Sequence, residues 1–320
     1  MNARKSRIYR GFTLVELLVV ITIIGVLAGL ATGAAMYARI TVVQMLTKAQ
    51  MTQMEMALEK YKQEYGEYPP MLSDRAAVER HIRSRWKRAE TKKLNYTLVL
   101  KAARLLPLAA TDNDAIIKDD DPKRFEKMSL RNAASATFWL GGMYNGGEYV
   151  GFSADLSNPL NPQFANENDP STFTNFNYGG QRTEPLMEFN DRNTEVVKIG
   201  GEDVICFAYA NKPIIYFRSS ATGSYMQTGA AYPQFCITDD FGIAVPYAKS
   251  GATPDVAVWY AAKKFQLVHP GRDSLFGDRA IGLNGETNAL FALTSGILPD
   301  DEDNIVNFTE TSTLSGAMNQ

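Results

Sequence analysis

Cysteine and histidine are almost missing from this chain of 320 residues, with two of each. Two cysteines cannot build a cysteine-rich metal site, and their spacing is not of the metal-binding kind. Two histidines, His81 and His269, leave little for a Ser–His–Asp arrangement, and His269, before a proline, reads as a loop residue and not a base. No Gly-x-Ser-x-Gly elbow and no phosphate-cradling Gly-Lys-Ser/Thr motif occurs. Catalysis therefore has almost no residue-level support. There is also a local absence: from Phe12 to Ala38 the only charged side chain is Glu16. Roughly 20 apolar residues suffice for a helix to cross a bilayer. A lone carboxylate in such a stretch costs a few kcal/mol, about 2.5–3.5 at a helix centre, so Glu16 needs a reason.

What precedes the apolar stretch supplies one. Arg4, Lys5, Arg7 and Arg10 lead to Gly11, after which the chain reads Phe12-Thr-Leu-Val-Glu16. An ordinary secretory signal also has basic residues before an apolar core, but that core is shorter and is cut after it. Here the glycine stands before the run. Cutting after Gly11 frees an α-amine on Phe12, a cation within reach of a neighbouring copy's Glu16. Glu16 also lies in the first turn or so of the helix, where the dipole favours an anion.

These residues resemble the prepilin signature of type IV pilins and type II secretion pseudopilins: Gly11 before the cut, Phe12 as the new N-terminus and Glu16 as the fifth mature residue. The resemblance implies cleavage and N-methylation of Phe12 by a prepilin peptidase. It also implies partners, namely other pseudopilins or pilins and an inner-membrane assembly platform. The localisation implied is the inner membrane, crossed once, with the leader cytoplasmic and the body periplasmic, then a periplasmic or surface filament. The leader's four cations agree with that orientation. The segments expected are a leader at 1–11, a membrane helix at 12–36, its extracytoplasmic continuation at 37–66 and a globular pilin-like domain at 67–320.

Helical rhythm continues through Met45, Leu46, Ala49, Met56 and Ala57 to about Tyr65, where Gly66 and Tyr68-Pro69-Pro70 provide a stop. Unbroken, such a helix is roughly 80 Å long. Gly25, Gly29 and Gly33 repeat every fourth residue and form a small-residue face for helix packing, although glycine is also simply common in membrane helices. Pilins commonly carry proline where this chain has Gly33, which puts local helix melting on assembly in doubt.

The formal charge of −2 hides an asymmetry, because without the leader 29 Lys and Arg stand against 35 Asp and Glu. Residues 74–106 read as helical, with eight cations between Arg75 and Lys93 against Glu79 and Glu90. Val78, Ile82, Trp86 and Ala89 make a narrow apolar stripe there. A solvated helix face docked on that stripe is the preferred reading, ahead of a patch for phosphates or an acidic partner. Thr111–Asp121 reads as an acidic loop, Ser135–Gly142 as an apolar helix ended by its glycines, and 144–180 as a surface excursion. Short strands are expected at 196–199, 203–209, 213–218, 234–238 and 264–268, and a frayed tail beyond Asp300. The fold class is thus α+β: a long N-terminal helix packed on a mainly antiparallel sheet, with extra helices.

Cys206 and Cys236 sit in apolar surroundings. They are either a disulfide, worth roughly 3–4 kcal/mol by chain entropy, or two buried free thiols on strands. In Phe265–Asp278 a strand enters a loop with two glycines and two carboxylates, Asp273 and Asp278. Such a loop can offer oxygens to Ca²⁺ or be a structural turn. It is similar in outline to the C-terminal loop of major pseudopilins, which implies calcium at Asp273 and Asp278. No cofactor is otherwise required. Three functions follow. The foremost is a structural pseudopilin of a type II secretion pseudopilus. The second is a minor type IV pilin serving adhesion or DNA uptake, although the balanced charge makes no general case for nucleic acid. A membrane-tethered enzyme comes last.

Overall fold

The computed structural model describes residues 12–167, 169–227, 232–251, 253, 256–277, 292–293, 301–309 and 313–315. The chain divides into two units, one up to Val43 and one from Gln44 onward. Helix α1, Leu14–Tyr65, contributes to both.

In the first unit α1 is continuous through Gly25, Gly29 and Gly33. Its threonines do not interrupt it, because Thr22, Thr32 and Thr41 each return their hydroxyl to the carbonyl four residues earlier. Every side chain from Phe12 to Ala38 is exposed. The segment is long and apolar enough to cross a membrane.

In the second unit α1 changes character. Thr47, Met51, Met54, Ala57, Leu58 and Tyr61 are buried, at the three- and four-residue spacing of one helix face. They join a core shared with an antiparallel sheet of Ile305–Val306, Phe265–His269 and Ile215–Arg218, in that order. Its register sets Val268 against Val306 and Leu267 against Tyr216. A second antiparallel sheet joins Thr194–Ile199, Glu202–Tyr209 and Lys212–Pro213. Among the described residues the remaining strand ladders are antiparallel, apart from Tyr247–Ala248 beside Ala292–Leu293, which is parallel, as is the isolated bridge of Gly142 to Gly151. The class is α+β, a long apolar N-terminal helix followed by a body of antiparallel sheets.

Helix α1 ends where expected, at Gly66 with φ +83°, whose N–H donates to Lys62 O at 2.8 Å. The prolines that follow are buried, and their segment keeps its carbonyls satisfied through side chains. Trp139 Nε1 donates to Pro70 O at 2.8 Å, Tyr216 OH to Pro69 O at 2.9 Å and Tyr96 OH to Leu72 O at 2.6 Å. The Leu72 N–H donates to Ser135 Oγ at 2.8 Å. Two of these partners, the donor Trp139 and the acceptor Ser135, lie on α4, Arg124–Gly141, which is buried from Met128 onward. That helix begins eleven residues before the apolar run that signals it in the sequence. Its polar side chains are spent inside the fold: Asn132 Nδ2 donates to Phe235 O at 2.7 Å and Ser129 Oγ accepts from Ile237 N–H at 2.9 Å.

Three expectations need correction. Residues 74–106 are not one helix but α2, Arg75–Arg85, and α3, Tyr96–Ala102. Trp86 leaves helical geometry and is buried, and Asn95 starts the next helix by accepting from Leu98 N–H at 3.0 Å. His269 is not a loop residue; it ends the strand Phe265–His269 and is 1 % exposed. Nor is the described tail frayed. Asp301 and Asn304 are buried, Lys48 Nζ donates to Val306 O and Thr309 O, and Asn307 Nδ2 donates to Glu55 at 2.8 Å. Composition made this stretch look solvated, but its polar groups have partners on α1 and on Tyr247.

Candidate processing and assembly site

Phe12 is 77 % exposed and precedes a closed local motif; Gly11 lies outside the described residues. Glu16 Oε2 accepts from Thr13 N–H at 2.9 Å and from Thr13 Oγ1 at 2.8 Å, and Thr13 Oγ1 accepts from Glu16 N–H at 3.2 Å. This is a capping box, in which the threonine and the glutamate satisfy donors that a helix start leaves open. Within one subunit, then, the lone carboxylate is held by Thr13. Thr13 escaped the sequence reading, although threonine three residues before glutamate is a recognisable start signal. Beyond it, nothing lies within 4 Å of where a Cβ would stand on Gly25, Gly29 or Gly33, so the small-residue face is open.

A sequence profile describing the prokaryotic N-terminal methylation motif matches residues 6–32. The chain carries a prepilin-type methylation motif. It is the motif of type IV pilin-like proteins and of substrates of prepilin peptidase, and in this prepilin-type chain it coincides with the capping box and the apolar helix. No curated protein and no solved structure matches the chain.

The prepilin-type chain has a second concentration of polar side chains, within its body. His81, on α2, is 1 % exposed and bonded at both ring nitrogens. Nδ1 is 2.8 Å from Glu67 Oε1 and Nε2 is 2.6 Å from Tyr61 OH. Arg218 Nη2 donates to Glu67 Oε2 at 2.6 Å, and Arg85 Nη1 donates to Tyr61 OH at 3.1 Å. Burial holds the imidazole below its ordinary pKa. The neutral ring thus donates from Nδ1 to the carboxylate and accepts the tyrosine proton at Nε2. The histidine's hydrogen bond, aided by Arg218, takes the Glu67 carboxyl down to about 2. The cluster joins α1, the turn after it, α2 and the strand Ile215–Arg218. Helical spacing placed His81 in the basic helix, but nothing in the sequence pairs it with Glu67.

The cations expected on α2 divide. Arg85 is drawn inward, its guanidinium over the rings of Tyr65 at 3.8 Å and Trp86 at 4.2 Å. Arg75 and Arg83 both reach Glu79. Arg80, Lys87 and Arg88 are exposed. Val78, Ile82 and Trp86 are buried, as the apolar stripe requires.

Of the two carboxylates expected to offer oxygens to calcium, Asp273 is described and Asp278 lies outside the described residues. Asp273 faces Asp303, whose Oδ2 accepts the N–H groups of Arg272 and Asp273 at 2.6 and 3.1 Å. Burial raises the Asp273 pKa, and the neighbouring Asp303 adds to the effect. The loop carbonyls of Gly271 and Arg272 are already taken by Lys212 Nζ, at 2.7 and 3.0 Å. No group of three or more His, Cys, Asp or Glu able to hold a metal occurs among the described residues. Ca²⁺ takes six to eight oxygens, so Asp273 with Asp303 falls short of a cage.

Cys206 and Cys236 are fully buried free thiols on the strands Glu202–Tyr209 and Cys236–Thr238. Burial pushes the Cys206 pKa up to about 12 and that of Cys236 well above its ordinary value. His269 Nε2 is 3.3 Å from Tyr209 O, and burial lowers its pKa to about 3. Enclosed and neutral, it is poorly placed to act as a base.

Proposed function

We propose that the prepilin-type chain is a structural pseudopilin of a type II secretion pseudopilus. The observation that carries the reading is the single carboxylate at the head of an apolar helix whose surface is open from Phe12 to Ala38. Prepilin peptidase removes residues 1–11 and methylates the Phe12 amine, which stays charged. The chain then waits in the inner membrane, with its body in the periplasm and Glu16 satisfied by Thr13. On assembly by the inner-membrane platform, Glu16 passes from Thr13 to the Phe12 amine of a neighbouring subunit. Between apolar helices that pair works at low dielectric, where leaving either charge alone is costly. The exchange thereby fixes subunit register. Calcium at the loop of Asp273 belongs to this proposal only through Asp278, since the described donors do not complete a site.

The test is the set of proteins exported to the medium by a deletion strain, rescued with the natural chain or with Glu16→Ala. Specific exported proteins should disappear on deletion and return only with the natural chain. An unchanged set removes the secretion role and favours the second reading, a minor type IV pilin for adhesion or DNA uptake. The exposed cations of α2 are what supports that alternative.

A further inference from the structure

The α2 segment is electrostatically foreign to the rest of the chain. Between Arg75 and Lys93 there are eight cations and two acids, a net +6. The remaining mature residues hold 21 cations and 33 acids, a net −12. Among the described residues no carboxylate outside the segment forms an ion pair with one of its lysines or arginines. Of its ion pairs among the described residues, those of Arg75, Arg83 and Lys92 go to the segment's own two glutamates. The one to Glu67 is His81, which is neutral. Arg83 is 77 % exposed even while touching Glu79 at 3.5 Å. Arg80, Lys87 and Arg88 are exposed, with no acidic partner within 4 Å among the described residues.

The complementary surface is the loop from Thr111 to Asp121, with five aspartates against Lys118. Asp114 and Asp121 are used locally, by Thr111 and by Lys127. Asp119 is 95 % exposed despite a contact to Arg124 at 3.3 Å, and Asp120 is exposed. No ion pair joins this loop to the α2 segment within one subunit among the described residues.

We infer that the exposed cations of the α2 segment, Arg80, Arg83, Lys87 and Arg88, dock against the Asp119–Asp120 loop of a second copy of this chain. Two different patches that complement each other make a heterologous, head-to-tail contact, which propagates into an open polymer instead of closing as a two-fold dimer. The apolar residues of α2 argue against two other partners. Val78, Ile82 and Trp86 are spent in the core, so among the described residues the apolar stripe of α2 leaves no ring on which a base could stack and no large apolar side chain to enter a lipid surface. Arginine-rich cations with no such accompaniment suit carboxylates. The contact also offsets the repulsion that a chain of net −6 meets when its copies assemble.

The inference rests on the filament reading, so the experiment separates the two. Full-length copies bearing Ser84→Cys, in the basic patch, are co-expressed with copies bearing Ile116→Cys, in the acidic loop, and oxidised in membranes. Ser84 and Ile116 are exposed, and the native thiols are buried and so stay unreactive. A mixed Ser84→Cys–Ile116→Cys adduct is expected. It should fall at least tenfold when the first copy also carries Arg80→Glu, Lys87→Glu and Arg88→Glu. It should recover when the second then carries Asp119→Lys and Asp120→Lys. Raising the salt toward 1 M should weaken it, because screening then acts within about 3 Å. Sedimentable polymers that require Glu16 but give no mixed adduct would overturn this interface and leave the filament reading standing. An adduct formed only between two Ser84→Cys copies would overturn it in favour of a closed dimer. Adduct loss without recovery in the paired reversal would assign the cations to another acidic partner and overturn the second-copy assignment. Absence of both adduct and polymer would remove the two proposals together.

Discussion

Replacing Glu67 with glutamine keeps the size of the side chain and an acceptor for His81 Nδ1–H, and removes one charge. What is lost is the counter-ion of Arg218, whose side chain is only 16 % exposed. The hydrogen bond from His81 and the charge of Arg218 hold the Glu67 carboxyl near 2, against an ordinary 4.5. A depression of that size corresponds to about 3 kcal/mol of coupling at neutral pH. Since 30 % of the Glu67 side chain meets solvent, screening reduces this, and ~2 kcal/mol is the expected loss. Because the folded state has the lower pKa, the contribution is complete above the unfolded value near 4.5 and vanishes as pH falls through about 2. His81 acts in the same direction at higher pH: burial lowers its pKa, so acidification from the ordinary 6.5 downward costs stability. Urea unfolding of the full chain in detergent measures both. Trp139 is a suitable reporter, with its ring 5.0 Å from that of His81. The natural chain should lose stability steeply between pH 4.5 and 2.5, and Glu67→Gln should lose distinctly less over that interval. Parallel slopes for the two proteins would refute the assignment of the charge to Glu67.

Thr13→Ala removes the hydroxyl of the capping box and should cost the helix start about 1 kcal/mol while filaments still form. Glu16→Ala should abolish them, and equal behaviour of the two variants in a sedimentation assay would mean that the cap alone matters. Gly151 adopts φ +69° and a Cβ there would stand 1.8 Å from Thr183 O. Gly151→Ala should therefore destabilise the body by roughly 3 kcal/mol or more, seen as faster proteolysis of the full chain at a temperature that spares the natural protein. Unchanged proteolysis would mean that the segment around Thr183 yields freely.

The N-terminal features were legible because they are local. A 27-residue apolar run with one charge, glycine before phenylalanine, and proline after glycine each act over a few neighbouring residues. Covalent geometry and transfer free energy therefore determine them almost irrespective of the rest of the fold. The strands expected at 196–199, 203–209 and 264–268, where β-branched and aromatic residues cluster, form as Thr194–Ile199, Glu202–Tyr209 and Phe265–His269, their ends being set by the partners they pair with. Helix α4 was read only in part, because its first half is polar and is buried by partners distant in sequence. Trp86 shows the limit of periodicity: it fits the apolar stripe of α2, yet burying its ring ends the helix there.

By itself, the sequence determined that this chain has a membrane-grade helix with a prepilin-type start, and a body of α+β class. Tertiary structure alone decided what the polar residues of that body do. His81 and Glu67 are 14 positions apart, and Arg218 stands a further 151 beyond Glu67. Only the packing of α2 and a strand around the end of α1 brings them within hydrogen-bond distance. The tail follows the same rule, since Asp301 and Asn304 look solvated until Tyr247 supplies their partner. A buried polar group is tolerated only when paired, and pairing between distant residues is a property of the assembled fold.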